Sequence, residues 1–218
     1  MPSSIALRPH RNGELMLDRQ VHYIGVTAGT LGTIVLGLAA AASGSLAILA
    51  SSLAYAAGLM AMLLCSAVYN HRRGSRRREL WRRLDHAAIF VMIAGTYTPF
   101  TVNRLPFLWS LTMTTLIWGI AVTGAALKLA QPHLLERVSV LPYLALGWIG
   151  LVALAPLTAV LDRETLILLG VGGMLYTLGT LFHLWHRLPF QNAVWHGFVM
   201  SAAACHYAAI LHGVVEAS

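Results

Sequence analysis

Several side chains able to titrate, ligate or hydrogen-bond stand at the edges of long apolar stretches: His22, Ser66, Asn70, Asp85, His86, Asn192 and His196. Ser66 and Asn70 are four residues apart, as are Asn192 and His196. On a helix that spacing puts each pair on one face. A carboxylate beside imidazoles can hold a metal ion, with His and Asp as ligands and a position left open for water. The same groups can relay protons, or can simply close a hydrogen-bonded network between helices.

The elements that carry these residues are membrane spans. Of 218 residues, 57% are hydrophobic and 11% charged, where a soluble domain carries about 25% charged residues. That excludes an ordinary globular enzyme, a disordered chain and a disulfide scaffold. Residues 1–20 contain charges and no apolar h-region, so they do not read as a cleaved signal. Cys65 and Cys205 both fall in apolar stretches and read as packing residues. Residues 20–71 contain no Asp, Glu, Lys or Arg, a run long enough for two spans joined at Ser43-Gly44-Ser45. Five further uncharged runs fit one helix each. The expected spans are 21–42, 46–70, 84–102, 106–128, 138–160, 165–185 and 190–214. Barrel strands alternate apolar and polar residues, and these runs do not.

Orientation follows from the basic residues. With seven spans, 13 of the 15 Lys and Arg fall on one side, leaving only Arg104 and Arg163 on the other. The positive-inside rule makes that side cytoplasmic, with the C-terminus outside. The expectation is an all-α integral membrane protein with seven transmembrane helices, in a bacterial inner (plasma) membrane. Residues 1–20 form a cytoplasmic N-terminal segment, and 21–215 a single seven-helix domain. The net charge of +7 then points to anionic lipid headgroups and topology rather than nucleic acid. The Arg-rich run His71–Arg83 reads as a topology anchor, and Gly25 and Gly29 as a face for close helix packing. Counted from the cytoplasmic side, His22, Ser66, Asn70, Asp85, His86, Asn192 and His196 share one depth on four helices. Topology gives the common level and not the facing.

A family pattern is visible in the same residues. Leu84-Asp85-His86-Ala87-Ala88-Ile89-Phe90, continuing through Ala94-Gly95-Thr96-Tyr97-Thr98-Pro99-Phe100, resembles the signature of the hemolysin III family, bacterial relatives of the progestin and adiponectin receptors. Glu14, Asp18 and His22 are similar to the family's first motif, with Asp18 where the family usually has Asn. Ser66 to Asn70 resembles its Ser-x3-His motif, and Asn192 to His196 its His-x3-His motif. The resemblance implies seven membrane helices with a cytoplasmic N-terminus. In the animal receptors it implies a zinc ion held by three histidines near the cytoplasmic side, beside a carboxylate and a serine. Carried onto this chain, those ligand positions are Asn70, Asn192 and His196, while Ser66 and Asp85 match. An amide oxygen is a much poorer zinc ligand than imidazole, so the implied metal set is incomplete and zinc is left open. His22 and His86 are alternative imidazoles at that level.

Two functions follow from this reading. One is a lipid-sensing or lipid-homeostasis protein, with membrane lipids as partners and a polar pocket of His22, Ser66, Asn70, Asp85, Asn192 and His196. The other, implied by the ceramidases of the wider superfamily, is a metal-dependent lipid amidase in which Asp85 and Ser66 are catalytic. A proton pathway is weaker, because the outer halves of the spans carry few ionisable residues besides His206 and His212. The sequence carries no signal for an oligomeric state. The topology is checked with reporter fusions: one at the C-terminus should read as external and one near Ser75 as cytoplasmic. A cytoplasmic C-terminus would break the count of seven.

Overall fold

The computed structural model describes residues 12–72, 74, 76–131 and 140–217. The basic residues Arg8, Arg11, Arg73 and Arg137, and the fusion point Ser75, lie outside these. The described chain forms seven long helical segments: α1 Asn12–Ala42, α2 Leu46–His71, α3 Arg78–Asn103, α4 Phe107–Ala130, α5 Leu141–Val160, α6 Arg163–Leu184 and α7 Gln191–Glu216. Six of them are long and apolar enough to cross a membrane. The exception is α3, which has the length at 26 residues but carries too many polar groups.

Placement explains α3. Its inner face is buried from Ala87 to Thr101, between α2 and α4. In hydrocarbon, a polar side chain needs a partner from protein. Thr96 and Thr98 donate back to the carbonyls of Met92 (2.9 Å) and Ala94 (2.7 Å). Across helices, the Trp118 indole donates to Thr98 (3.1 Å), Thr114 to Thr101 (2.8 Å) and Asn103 to Ser51 (2.9 Å). The helix is central, so its polarity faces protein and not lipid. At its cytoplasmic start, ahead of the apolar run, Arg82 and Arg83 clasp Glu79. Their hydrogen bonds, Arg82 first, hold its carboxyl down to about 2. Arg83 also donates to the Leu129 carbonyl at the end of α4 (3.1 Å).

Two helices are irregular, and both irregularities are satisfied. Between α-helical Leu141–Gly147 and Leu154–Val160, α5 tightens into a 3₁₀ segment, Ile149–Ala153. The Tyr97 hydroxyl of α3 donates to the Gly147 carbonyl and accepts from the Gly150 N–H, which supplies the backbone partners at the break. The last stretch of α7, Leu211–Glu216, widens into a π-helix. Arg104, one of the two outer basic residues, donates there to the carbonyls of Gly213 (2.7 Å) and Val214 (3.4 Å).

Small residues set the close contacts. A methyl group on Gly25 would meet the Met200 sulfur at 3.1 Å, and one on Gly29 would collide with Leu63, so the α1 glycines do pack closely. The α2–α3 crossing is reciprocal. Gly58 of α2 lies against the backbone of Val91 and Met92, and Gly95 of α3 against the backbone of Ala54 and Tyr55. This is the small-residue logic of membrane helix pairs. Cys65 and Cys205 are both free thiols.

The start of α1 differs from the sequence expectation. Among the described residues the helix runs from Asn12, so residues 12–20 are continuous with the helix of the first span. Glu14 in the first turn suits the positive end of the helix dipole. Glu14 and Asp18 are both buried.

Backbone cannot yield at the α2–α3 crossing, so Gly95→Leu should destabilise the fold by about 1–3 kcal/mol, as overpacking does. Gly37→Leu, at a position with nothing within 4 Å, should be close to neutral. Thermal unfolding of both variants in detergent checks the contrast, and equal melting temperatures would contradict the packing assigned to Gly95.

Candidate functional site at the cytoplasmic ends of α1, α2, α3 and α7

Asp18 and His22 lie one turn apart on the inner face of α1, and are 3% and 6% exposed. The His22 Nδ1 donates to the Asp18 main-chain carbonyl at 2.7 Å. That bond leaves Nε2 as the lone-pair nitrogen. Two donors of α2 approach it, the Ser66 hydroxyl at 3.3 Å and the Asn70 amide nitrogen at 3.5 Å. Asn70 also donates to the Ser66 carbonyl (3.0 Å).

From α7, the His196 Nδ1 lies 2.7 Å from the Asp18 carboxylate. An ionised carboxylate only accepts, so this ring donates from Nδ1. One residue of α1 therefore orients both imidazoles, whose centroids are 4.3 Å apart. Asp85 of α3 completes the group, lining the same cavity as Ser66 and His196.

Part of this group lines one end of a cavity of about 450 Å³. His22, Ser66, Asp85, His86, His183 and His196 are on its wall at that end. Farther in, the wall is mostly apolar, with Met92, Phe100, Leu105, Met113 and Leu157 from α3 to α5 and Val199 from α7, interrupted by Thr96, Thr101, Tyr176 and His206. It thus runs from the cytoplasmic leaflet toward the outer half of the bundle. Two polar atoms on the wall, Tyr176 OH and His183 Nδ1, have no hydrogen-bond partner among the described residues.

The structure brings together His22, Ser66, Asn70, Asp85 and His196. Asn70 stands behind His22 and Ser66 rather than on the wall, and half-buried Asn192 is not on the wall either. His86 lines the cavity toward Lys128, which is buried beneath Tyr143. His71 directs its Nδ1 to the Ala67 carbonyl (2.7 Å).

The residue missed by sequence reasoning is Asp18. It precedes the apolar run and enters the sequence reading only as a position of the first family motif, not as a pocket residue. Its four-residue spacing to His22 was the available signal. His183 was missed for a similar reason, being near the end of its span.

The zinc positions implied by the family resemblance fit poorly. Asn70 spends amide N–H groups on Ser66 and His22, and Asn192 is off the cavity wall. His196 is the one imidazole of that set. A different set does converge: Asp18, His22 and His196 each offer a ligand atom, all within 4.8 Å of one another.

A seven-helix bundle with a buried His, Asp and Ser cluster at the cytoplasmic end of its cavity defines a class of integral membrane protein. Residues 16–207 match the family described as Haemolysin-III related, and the chain belongs to that family. It is 32% identical to the Hemolysin-3 homolog of Bacillus subtilis over 89% of this chain and 92% of that protein. With Hemolysin-3 of Bacillus cereus it shares 33% identity over 89% of each chain. The human Monocyte to macrophage differentiation factor is 29% identical over 72% of this chain and 67% of its own length.

Proposed function

We propose that this protein binds a membrane lipid and serves in lipid sensing or homeostasis. The observation that carries the reading is a mostly apolar cavity wall with His22, Ser66, Asp85 and His196 gathered at one end. A volume of about 450 Å³ falls in the range of small-molecule sites. An acyl chain suits the stretch from Met92 to Leu157. A polar head suits the end formed by His22, Ser66, Asp85 and His196. Tyr176 OH and His183 Nδ1, with no partner among the described residues, offer further hydrogen bonds to an ester, amide or hydroxyl group. Leaving buried polar atoms unpaired costs about 1–3 kcal/mol each, which favours an occupant that satisfies them.

A second reading, hydrolysis of a lipid amide, is supported by one further observation. Asp85 and Ser66 both line the polar end, where the head of the lipid would lie. Asp85 suits the role of base toward a water molecule, and Ser66 that of donor to a developing oxyanion.

Lipid extraction from purified protein, read by mass spectrometry, should recover about one acyl lipid per chain. A Val199→Trp change, which fills the cavity, should lower retained lipid about tenfold, equivalent to about 1.4 kcal/mol. Asp85→Asn should leave an acyl lipid bound if binding is the function. Incubation with an N-acyl sphingoid lipid separates the two readings: release of fatty acid by the native chain, and its loss in Asp85→Asn, would establish the hydrolase. An empty cavity in a well-folded native sample would refute both.

A further inference from the structure

We infer that the cavity carries a second polar station, away from its head end, formed by Thr96 of α3, Tyr176 of α6 and His206 of α7. This station recognises a hydroxyl group borne part-way along the acyl chain of the occupant. The inference rests on the reading of the cavity as an acyl-lipid site and names which acyl lipids it takes.

All three residues line the cavity, and helical rise places them at a similar depth. On α7, His206 is ten residues beyond His196, about 15 Å toward the outer face. On α3, Thr96 is eleven residues beyond Asp85, about 16 Å in the same direction. On α6, Tyr176 is seven residues before His183, about 10 Å outward. With the polar head at His196, Asp85 and Ser66, only the chain of a lipid reaches this level. The charged residues on the wall, Arg82, Asp85 and Lys128, are all at the cytoplasmic end.

The three groups have complementary roles. The buried Tyr176 hydroxyl has no hydrogen-bond partner among the described residues. His206 Nε2 lies 3.3 Å from the Leu169 carbonyl. A carbonyl only accepts, so Nε2 donates, and the neutral ring keeps its lone pair on Nδ1. The Nε2 and Cδ2 edge of this ring is pressed on Gly172, where a methyl group would collide with both atoms. That contact leaves the Nδ1 edge to meet an occupant. The ring lies beside that of Tyr176, with centroids 5.6 Å apart. Thr96 spends its proton on the Met92 carbonyl (2.9 Å) and so can only accept.

An alcohol matches this set. It accepts from the Tyr176 hydroxyl and donates to His206 Nδ1 or to the Thr96 oxygen. A saturated chain leaves the Tyr176 hydroxyl buried and unpaired, which opposes its binding. A ketone meets Tyr176 alone and leaves the acceptors unused. An ionised group finds no opposite charge at this level and pays its full desolvation.

The experiment is a competition on the full chain, purified in detergent and stripped of lipid. Octadecanoic acid and 12-hydroxyoctadecanoic acid are supplied in equal amounts, and the bound acids are read by mass spectrometry. Native protein should retain the hydroxylated acid about tenfold over the plain one, the effect of about one hydrogen bond to a buried partner. Tyr176→Phe and His206→Phe should each bring the ratio to within about twofold of unity. Both acids compete in one sample, so the ratio does not depend on how much of a variant folds. In a parallel competition with 2-hydroxyoctadecanoic acid, whose hydroxyl lies at the head end, Tyr176→Phe should leave the native ratio unchanged. A native ratio near one for the 12-hydroxy acid, with acid bound, would overturn the inference and leave the acyl-lipid reading standing. So would a preference that persists in Tyr176→Phe, or a Tyr176→Phe effect that is the same for both hydroxy acids. Uptake of neither acid would refute the acyl-lipid reading and this inference with it.

Discussion

Hydrocarbon offers no hydrogen bonds, so a polar group on a membrane helix must be satisfied by protein or by a ligand. The architecture follows from that constraint. It places α3, the helix too polar to qualify as a span by hydropathy, in the middle of the bundle. It accounts for the threonines that bond back to their own helix and for Trp118 meeting Thr98. It also accounts for Tyr97, which serves both a carbonyl and an N–H where α5 leaves regular helix. At the outer face, Arg104 meets the carbonyls of the π-helical end of α7.

The same constraint organises the cytoplasmic end. Asp18 binds the two rings through different oxygens, its carbonyl to His22 and its carboxylate to His196. The contact ties α1 to α7 and so joins the first and last helices of the chain. Ser66 then links this pair to α2, and Asp85 of α3 lines the cavity beside it. A cavity opens directly behind that junction. Where the protein leaves polar atoms without partners on the wall, at Tyr176 and His183, the constraint calls for something else to meet them.

Membership of the Haemolysin-III related family places this architecture among integral membrane proteins, and the chain carries a variation on the family pattern. Two amides stand where the resemblance calls for imidazoles. One of them, Asn70, is absorbed into hydrogen bonds with its neighbours. The other, Asn192, lies off the cavity wall. His196 has a carboxylate partner from α1, Asp18.

Much of the fold is legible in the residues. Gaps between charges locate the helices, because crossing about 30 Å of hydrocarbon takes about 20 residues. The asymmetry of Arg and Lys orients them, because charged side chains at loops this short are not readily translocated. Depth along each span also follows, since helical rise is fixed at about 1.5 Å per residue, and that was enough to put His22, Ser66, Asp85 and His196 at one level. Rotation of each helix about its axis is another matter. It is set by packing between helices, through contacts such as Gly58 on Met92 and Gly95 on Tyr55, and no local pattern encodes it. For that reason Asn192 was grouped with His196 by spacing and falls outside the cavity. Asp18 enters only as a departure within the first family motif and is not grouped with the pocket, yet it is buried beside His22 and His196. Its environment depends on where α1 begins and on which helices cover its face, and both are properties of the assembled bundle.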